Sequence, residues 1–261
     1  MRWRRIGPTA LAVGALLWLA TAAWAESVQE GTLRVSITTQ IKPYKLPRTD
    51  PAPIKVFIAG HIASTTGGVP PQLRRMTVLI NRHGYLDPHG LPSCTTSQLR
   101  PATTKQALRR CGGALVGSGH FWASVVLPDQ GAYRTTGRLL AFNGTSQGRP
   151  ALLAQIYTAQ PFPSSFVVPF ALRKVSRGPY GTELSASLPQ ALGSWGFVDR
   201  IKMTLGKIYR ADGRLHTYLR ASCPAPKHTN TTAFSLALAS FYFAGGQQLQ
   251  ASVPKSCAVR K

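Results

Sequence analysis

Apolar and polar residues alternate along most of this chain, and a period of two is the repeat of a strand with one buried face. Val35, Ile37 and Thr39 open the pattern, Val56 and Ile58 continue it, and Met76, Val78 and Ile80 follow. Further strands are predicted at 115–127, 137–143, 150–158, 166–175, 182–188, 201–209, 215–221, 232–243 and 249–253. Turn chemistry separates them: Asn143-Gly144, Pro179-Tyr180-Gly181, Asp212-Gly213 and Gly245-Gly246 supply the left-handed backbone that tight hairpins need. About a dozen short strands with no long helices between them predict an all-β fold, an antiparallel β-sandwich or jelly roll. One short helical decoration on a sheet edge is expected within 97–110, where Leu99, Ala107 and Leu108 carry the apolar side and Pro101 limits its start.

The beginning of the chain breaks this pattern. Arg2, Arg4 and Arg5 precede an apolar run from Ile6 to Ala23, and Ala23-Trp24-Ala25 sets small residues three and one positions before Glu26. That is the form of an export signal cleaved after Ala25. Gly7, Pro8 and Thr9 shorten its apolar centre below the roughly 20 residues of a spanning helix, so no transmembrane segment is expected once the signal is removed. The mature chain is expected outside the cytoplasm, secreted or associated with the cell envelope. Residues 26–54 read as an extended N-terminal strand and a connector containing Pro43, Pro47, Pro51 and Pro53, and 55–261 as one β-sandwich domain.

Export changes the meaning of the four cysteines, which in an oxidising space form two disulfides. Spacing favours Cys94 with Cys111, closing a loop around the helical segment, and Cys223 with Cys257, stapling the ends of two hairpins. Those hairpins echo one another: Tyr209-Arg210-Ala211-Asp212-Gly213 leads to Cys223, and Tyr242-Phe243-Ala244-Gly245-Gly246 leads to Cys257. Loop-closure arithmetic assigns each bridge about 3 to 4 kcal/mol. No Cys-x-x-Cys occurs and the histidines lack ligand spacing, so neither a metal nor another cofactor is expected.

Hydrophobic content of 44% with 15% charged residues suits a chain that buries a core. The charges are lopsided. Without the leader the chain carries 28 Lys plus Arg against 8 Asp plus Glu, a net +20. Such a surface attracts acidic wall polymers, anionic lipid headgroups or extracellular nucleic acid within a Debye length. No specific nucleic-acid motif is present. The carboxylates lie singly, mostly beside Pro or Gly in turns, which leaves no obvious pair for glycoside hydrolysis.

The best candidate for a contact face is the segment from Arg200 to Arg220. If Ala211-Asp212-Gly213 is a three-residue loop, Arg210 pairs with Arg214 and the even-numbered residues share one face. That face carries Arg200, Lys202, Arg210, Arg214, His216, Tyr218 and Arg220, while Ile201, Met203, Leu205, Leu215 and Leu219 point into the core. Arginines beside a tyrosine suit phosphate, sulfate or carboxylate groups. A solvated face, basic because the whole protein is basic, is the competing reading. A two-residue loop would send the even residues of the two strands to opposite sides and dissolve the patch.

Two smaller motifs point elsewhere. Gly144-Thr145-Ser146-Gln147-Gly148 fits a serine-hydrolase elbow around Ser146, but that chemistry needs a helix after the serine, and 151–157 reads as a returning strand. His83 and His89 read as loop histidines around a solvated turn. Long apolar strands such as 166–172 also admit a carrier that holds an apolar small ligand between sheets.

Leu91-Pro92-Ser93-Cys94, Ala114-Leu115-Val116-Gly117, Leu139-Leu140-Ala141-Phe142-Asn143-Gly144, Cys223-Pro224-Ala225-Pro226 and Phe243-Ala244-Gly245-Gly246 resemble blocks of an uncharacterised family of exported bacterial β-rich proteins. The resemblance spans most of 75–257. It implies a similar cysteine-stapled β fold and, since that family has no assigned activity, no catalytic residue. Taken together, the residues describe an exported, non-catalytic envelope or extracellular protein whose basic surface engages anionic polymers or lipid surfaces.

Overall fold

The computed structural model describes residues 25–126, 129, 131–160, 162–188 and 196–260. The expected export signal lies outside them, apart from Ala25. In chain order the first strands are β1 (Ala25–Glu30), β2 (Leu33–Lys42), β3 (Lys45–Leu46), β4 (Ala52–Pro53), β5 (Lys55–Ser64), β6 (Leu73–Asn81), β7 (Gly84–Leu86) and β8 (Cys94–Thr95). Two short helices follow, α1 (Thr96–Leu99) and α2 (Thr104–Cys111), then β9 (Leu115–Val125), β10 (Tyr133–Ser146), β11 (Arg149–Thr158), β12 (Ser164–Arg177) and β13 (Tyr180–Ser187). The last are β14 (Gly196–Leu205), β15 (Ile208–Ala211), β16 (Arg214–Thr217), β17 (Leu219–Ala221), β18 (Thr231–Phe243) and β19 (Gln248–Val259). The fold is all-β with a short helical decoration, as the alternation predicts.

Fourteen of these strands form one sheet in the order β1-β2-β5-β14-β9-β10-β11-β12-β13-β6-β18-β19-β3, with β8 alongside β10. Among the described residues only the β8–β10 and β3–β19 pairs are parallel. The sheet curls, and glycines at strand centres allow it. A Cβ on Gly119 would stand 2.0 Å from the Lys202 carbonyl oxygen, and one on Gly137 would stand 2.0 Å from that of Tyr157. Neighbouring strands press together there too closely for any side chain, which is how a sheet bends sharply.

Curling brings the first strands round to the last. Leu33, Val35 and Ile37 of β2 pack against Phe241 and Phe243 of β18 and Leu249, Ala251 and Val253 of β19. The chain itself ties the seam, because after β2 it crosses over and β3 pairs with β19 through Lys45 with Ala258 and Leu46 with Val259. Residues 26–46 are thus built into the sheet through β1, β2 and β3, while β4 pairs with β17 in a separate three-stranded sheet, and β2 pairs with β5 along its whole length. One end of the interior is plugged by the segment around β17. Tyr218, Leu219, Ala221, Cys223 and Ala225 form a cluster there with Val116, Ala141, Leu152 and Leu184.

The helices cover an outer face of the sheet instead of decorating its edge. Each opens with a capping box, Thr95 with Gln98 and Thr103 with Gln106, and Pro101 splits the expected helix in two. Leu99, Ala107 and Cys111 pack on Leu140, Phe142, Ala151, Leu153 and Val167. Here the strands are buried on both sides, so alternation lapses into the runs Leu139-Leu140-Ala141-Phe142 and Ala151-Leu152-Leu153.

Both disulfides pair as spacing indicates. Cys94 joins Cys111 with Cα atoms 5.7 Å apart, and Cys223 joins Cys257 at 5.8 Å, ordinary separations for such bridges. The first fastens α2 to β8, and the second fastens the plug to β19. Paired cysteines of this kind belong to an oxidising environment. No described helix is long and apolar enough to cross a membrane.

Several boundaries differ from expectation. The turn expected at 179–181 is Gly178-Pro179, with Tyr180 already paired to Arg177, and the strand expected at 215–221 breaks at Tyr218. Asn143-Gly144 is not a turn: β10 runs on to Ser146, and the reversal is Gln147-Gly148, with φ of 51° and 72°. The predicted strand 201–209 divides at Gly206, whose φ of 131° turns the chain off the large sheet and starts a separate β15–β16 hairpin.

Candidate functional site

Of the seven residues expected on one face, Arg200 and Lys202 stay together, on the outer side of β14. Pairing with β9 sets Arg200 beside Trp122 and Lys202 beside His120. On β10, Arg138 continues the second row beyond His120, and on β5 His61 flanks Arg200. His120 and Trp122 alternate with the buried Phe121 and Ala123, which fixes this set on the outside. Sequence reasoning assigned no role to His61, His120, Trp122 or Arg138. Their signal was a polar-side aromatic, Trp122, spaced two residues from a histidine on an exposed strand face.

The electrostatics of this face are one-sided. The guanidinium carbon of Arg200 and the Nζ of Lys202 each lie 5.9 Å from the Trp122 ring centre, within reach of a cation–π interaction. Arg138 donates from Nη1 to Nε2 of His120 at 3.2 Å, and because a guanidinium only donates, that ring nitrogen is the acceptor. The nearby carboxylate of Asp199 instead accepts from the Ser124 hydroxyl at 3.2 Å. Among the described residues none of Arg138, Arg200 and Lys202 is in an ion pair. Strands about 4.8 Å apart give the row Lys202–His120–Arg138 a span of roughly 10 Å.

The other five residues go elsewhere because the chain leaves the large sheet at Gly206 and the hairpin loop that follows has two residues. Ala211 pairs with Arg214 and Arg210 with Leu215, and Asp212 and Gly213 turn the chain with φ of 48° and 72°. Arg210 and Arg214 therefore project from opposite faces of the hairpin. Leu215, expected in the core, is 68% exposed, and Ile208 beside it is 53% exposed. His216 stacks on Tyr209 at 5.7 Å between ring centres and lies 5.4 Å from His89, whose Nε2 stands 3.6 Å from the Asp212 carboxylate.

Tyr218 is not on an outer face at all. It is 1% exposed in the plug, its hydroxyl lacks a partner, and burial pushes its pKa above the ordinary tyrosine range. Arg220 braces β17, donating Nε and Nη2 to the Pro51 carbonyl at 3.1 and 2.9 Å and lying 3.9 Å from Asp87.

Ser146 pairs with Arg149 at the end of a hairpin, so the strand–turn–helix of a hydrolase elbow is not formed around it. His83 sits in the turn after β6 with Nδ1 3.1 Å from the Ser222 hydroxyl, and burial, then the nearby Arg82 charge, lower its pKa.

A second feature lies inside the curled sheet, at the end opposite the plug. Phe121, Ile156, Phe166, Val168 and Phe197 line an apolar cleft of about 790 Å³, mouth included. Gln72 gives it one polar anchor: its Nε2 donates to the Gly196 carbonyl at 3.2 Å, while its buried Oε1 has no partner.

No family model, curated protein or solved structure matches this chain.

Proposed function

We propose that this chain is an exported, non-catalytic binding protein of the cell envelope or medium, and that its outer β14–β9–β10 face engages anionic polymer or lipid surfaces. The observation that carries this reading is the arrangement of Arg200 and Lys202 over Trp122 with Arg138 in the next strand, none of them neutralised by a described carboxylate. Unpaired cations on an exposed strand surface meet successive negative groups without first breaking internal ion pairs, and each contact is weakened by salt. The resemblance to exported β-rich proteins and the export signal read from residues 1–25 support the location.

The mature protein is titrated with polyphosphate and with phosphatidylglycerol vesicles at rising salt. Affinity is expected to fall about tenfold or more from low to physiological salt, and replacing Arg138, Arg200 and Lys202 together by serine is expected to weaken binding by a similar factor. Replacing Arg210 and Arg214 leaves it within about twofold, since surface charges elsewhere act mainly through the screened overall field. Binding that ignores both salt and the triple replacement rules the reading out.

The apolar cleft favours a second reading, a carrier of an apolar small ligand. Its wall is apolar, as small-molecule sites are, and the unpaired Gln72 oxygen would accept one hydrogen bond from a ligand hydroxyl or amide. Mass spectrometry of an organic extract of the native protein would detect a co-purified compound, and its absence would leave that reading without support.

A further inference from the structure

The outer face does not account for Lys255. Strand β19 alternates inward through Leu249, Ala251, Val253, Lys255 and Cys257, and every member but the lysine is buried. Its cross-strand partner is Phe234, which packs against the plug inside the sheet, so Lys255 occupies a core-facing position. Across the seam, β2 alternates inward through Leu33, Val35, Ile37 and Thr39. Thr39 is 7% exposed and its hydroxyl has no hydrogen-bond partner.

Both residues line one cleft of about 1750 Å³, mouth included, between β2 and β18–β19. Ile41, Leu46, Phe234 and Pro254 supply apolar wall, Lys42 adds a second cation, and among the described residues no Asp or Glu lines it. Among the described residues Lys255 has no ion pair, and burial holds its pKa below the ordinary 10.5. A half-buried cation without a counter-ion and a buried hydroxyl without a partner both cost stability. An anion entering the cleft would answer both.

We propose that this cleft binds a small organic anion, with a single carboxylate or phosphate head on Lys255 and Thr39 and an apolar body against Ile41, Leu46 and Phe234. None of its residues belongs to β9, β10 or β14, so the site stands or falls separately from the polymer-binding face.

The mature protein is titrated calorimetrically with octanoate, octyl phosphate and neutral octanol. At least one anion is expected to saturate a single site, with octanol weaker by about tenfold or more, because a desolvated charge pair discriminates at about 1.4 kcal/mol per factor of ten. Lys255→Met is expected to lose about tenfold or more of the anion affinity, whereas Lys255→Arg keeps it within about threefold, since the charge and stem remain. The stronger of the two anions identifies the head group. The triple replacement on the outer face leaves this titration unchanged. Octanol binding as tightly as the anions, an unaltered Lys255→Met, or no saturation by either anion at millimolar concentration overturns the proposal. Lys255→Arg, which keeps the positive charge in the row, separates loss of the site from loss of the fold.

Discussion

Two hollows inside one curled sheet invite comparison. Both are walled by rows of every second residue: Phe121, Ala123 and Val125 of β9 in one, Val253, Lys255 and Cys257 of β19 near the other. The first hollow is neutral, with aromatic and aliphatic walls and a single unpaired amide oxygen on Gln72. The second interrupts an otherwise apolar row with a lysine and faces it with an unpaired hydroxyl. The strand periodicity is the same in both. What differs is whether the inward row stays dry as it nears an opening, where a long side chain can bury its stem and keep its charge near water. Interior chemistry in this fold is therefore decided at the single position where an opening reaches a row, not by the row as a whole.

The comparison breaks if a lysine is tolerated anywhere on the β19 row. Val253 lies one step deeper and is 5% exposed, so Val253→Lys is expected to cost about 3 kcal/mol or more in a denaturant titration. A loss under about 1 kcal/mol would show that position along the row is irrelevant. Thr39→Val sharpens the contrast from the other side. It removes an unpartnered buried hydroxyl at nearly constant volume and should stabilise the protein by up to about 1 kcal/mol, while a clear loss would mean that the hydroxyl is already satisfied.

The smallest effect is pH-dependent. The folded pKa of Lys255 is depressed below 10.5, so between the folded value and 10.5 the unfolded chain binds the proton more tightly and stability rises with pH. The penalty is fully present below the folded value. Wild type should therefore gain on Lys255→Met as pH climbs toward 10.5, a trend kept small by the partial exposure of the side chain. Parallel pH profiles for the two proteins would place Lys255 in water.

Alternation alone located most strands, because one wet and one dry face leave a direct trace in the chain. It faltered where that premise failed: 139–142 is covered on both sides, by α1–α2 outside and the plug inside. Cysteine spacing gave the bridges, since each pair lies at the exit of a local unit. Hairpin register was harder. Ala211-Asp212-Gly213 supports a two- or three-residue loop, and the choice rests on whether Asp212 as well as Gly213 adopts positive φ. That single conformation moved Leu215 out of the core and separated Arg210 from Arg214. The outer face was legible only in halves. Trp122 and Arg200 lie far apart in the chain, and nothing local says that β14 inserts between β5 and β9. Lys255 lies beyond the apolar run that ends at Val253, although the inward period continues through it.

The meeting of β2 with β18 and β19 has a consequence for how the molecule comes into being. Its seam joins residues near 35 to residues near 251, so although β2 finds β5 early as a pairing partner, its inward row stays uncovered until the last two strands are available. Assembly is correspondingly late and rich in distant contacts, a slow regime for β topologies. Trimming either terminus should strip the same patch of core, and neither a shortened head nor a shortened tail would leave a self-sufficient remnant.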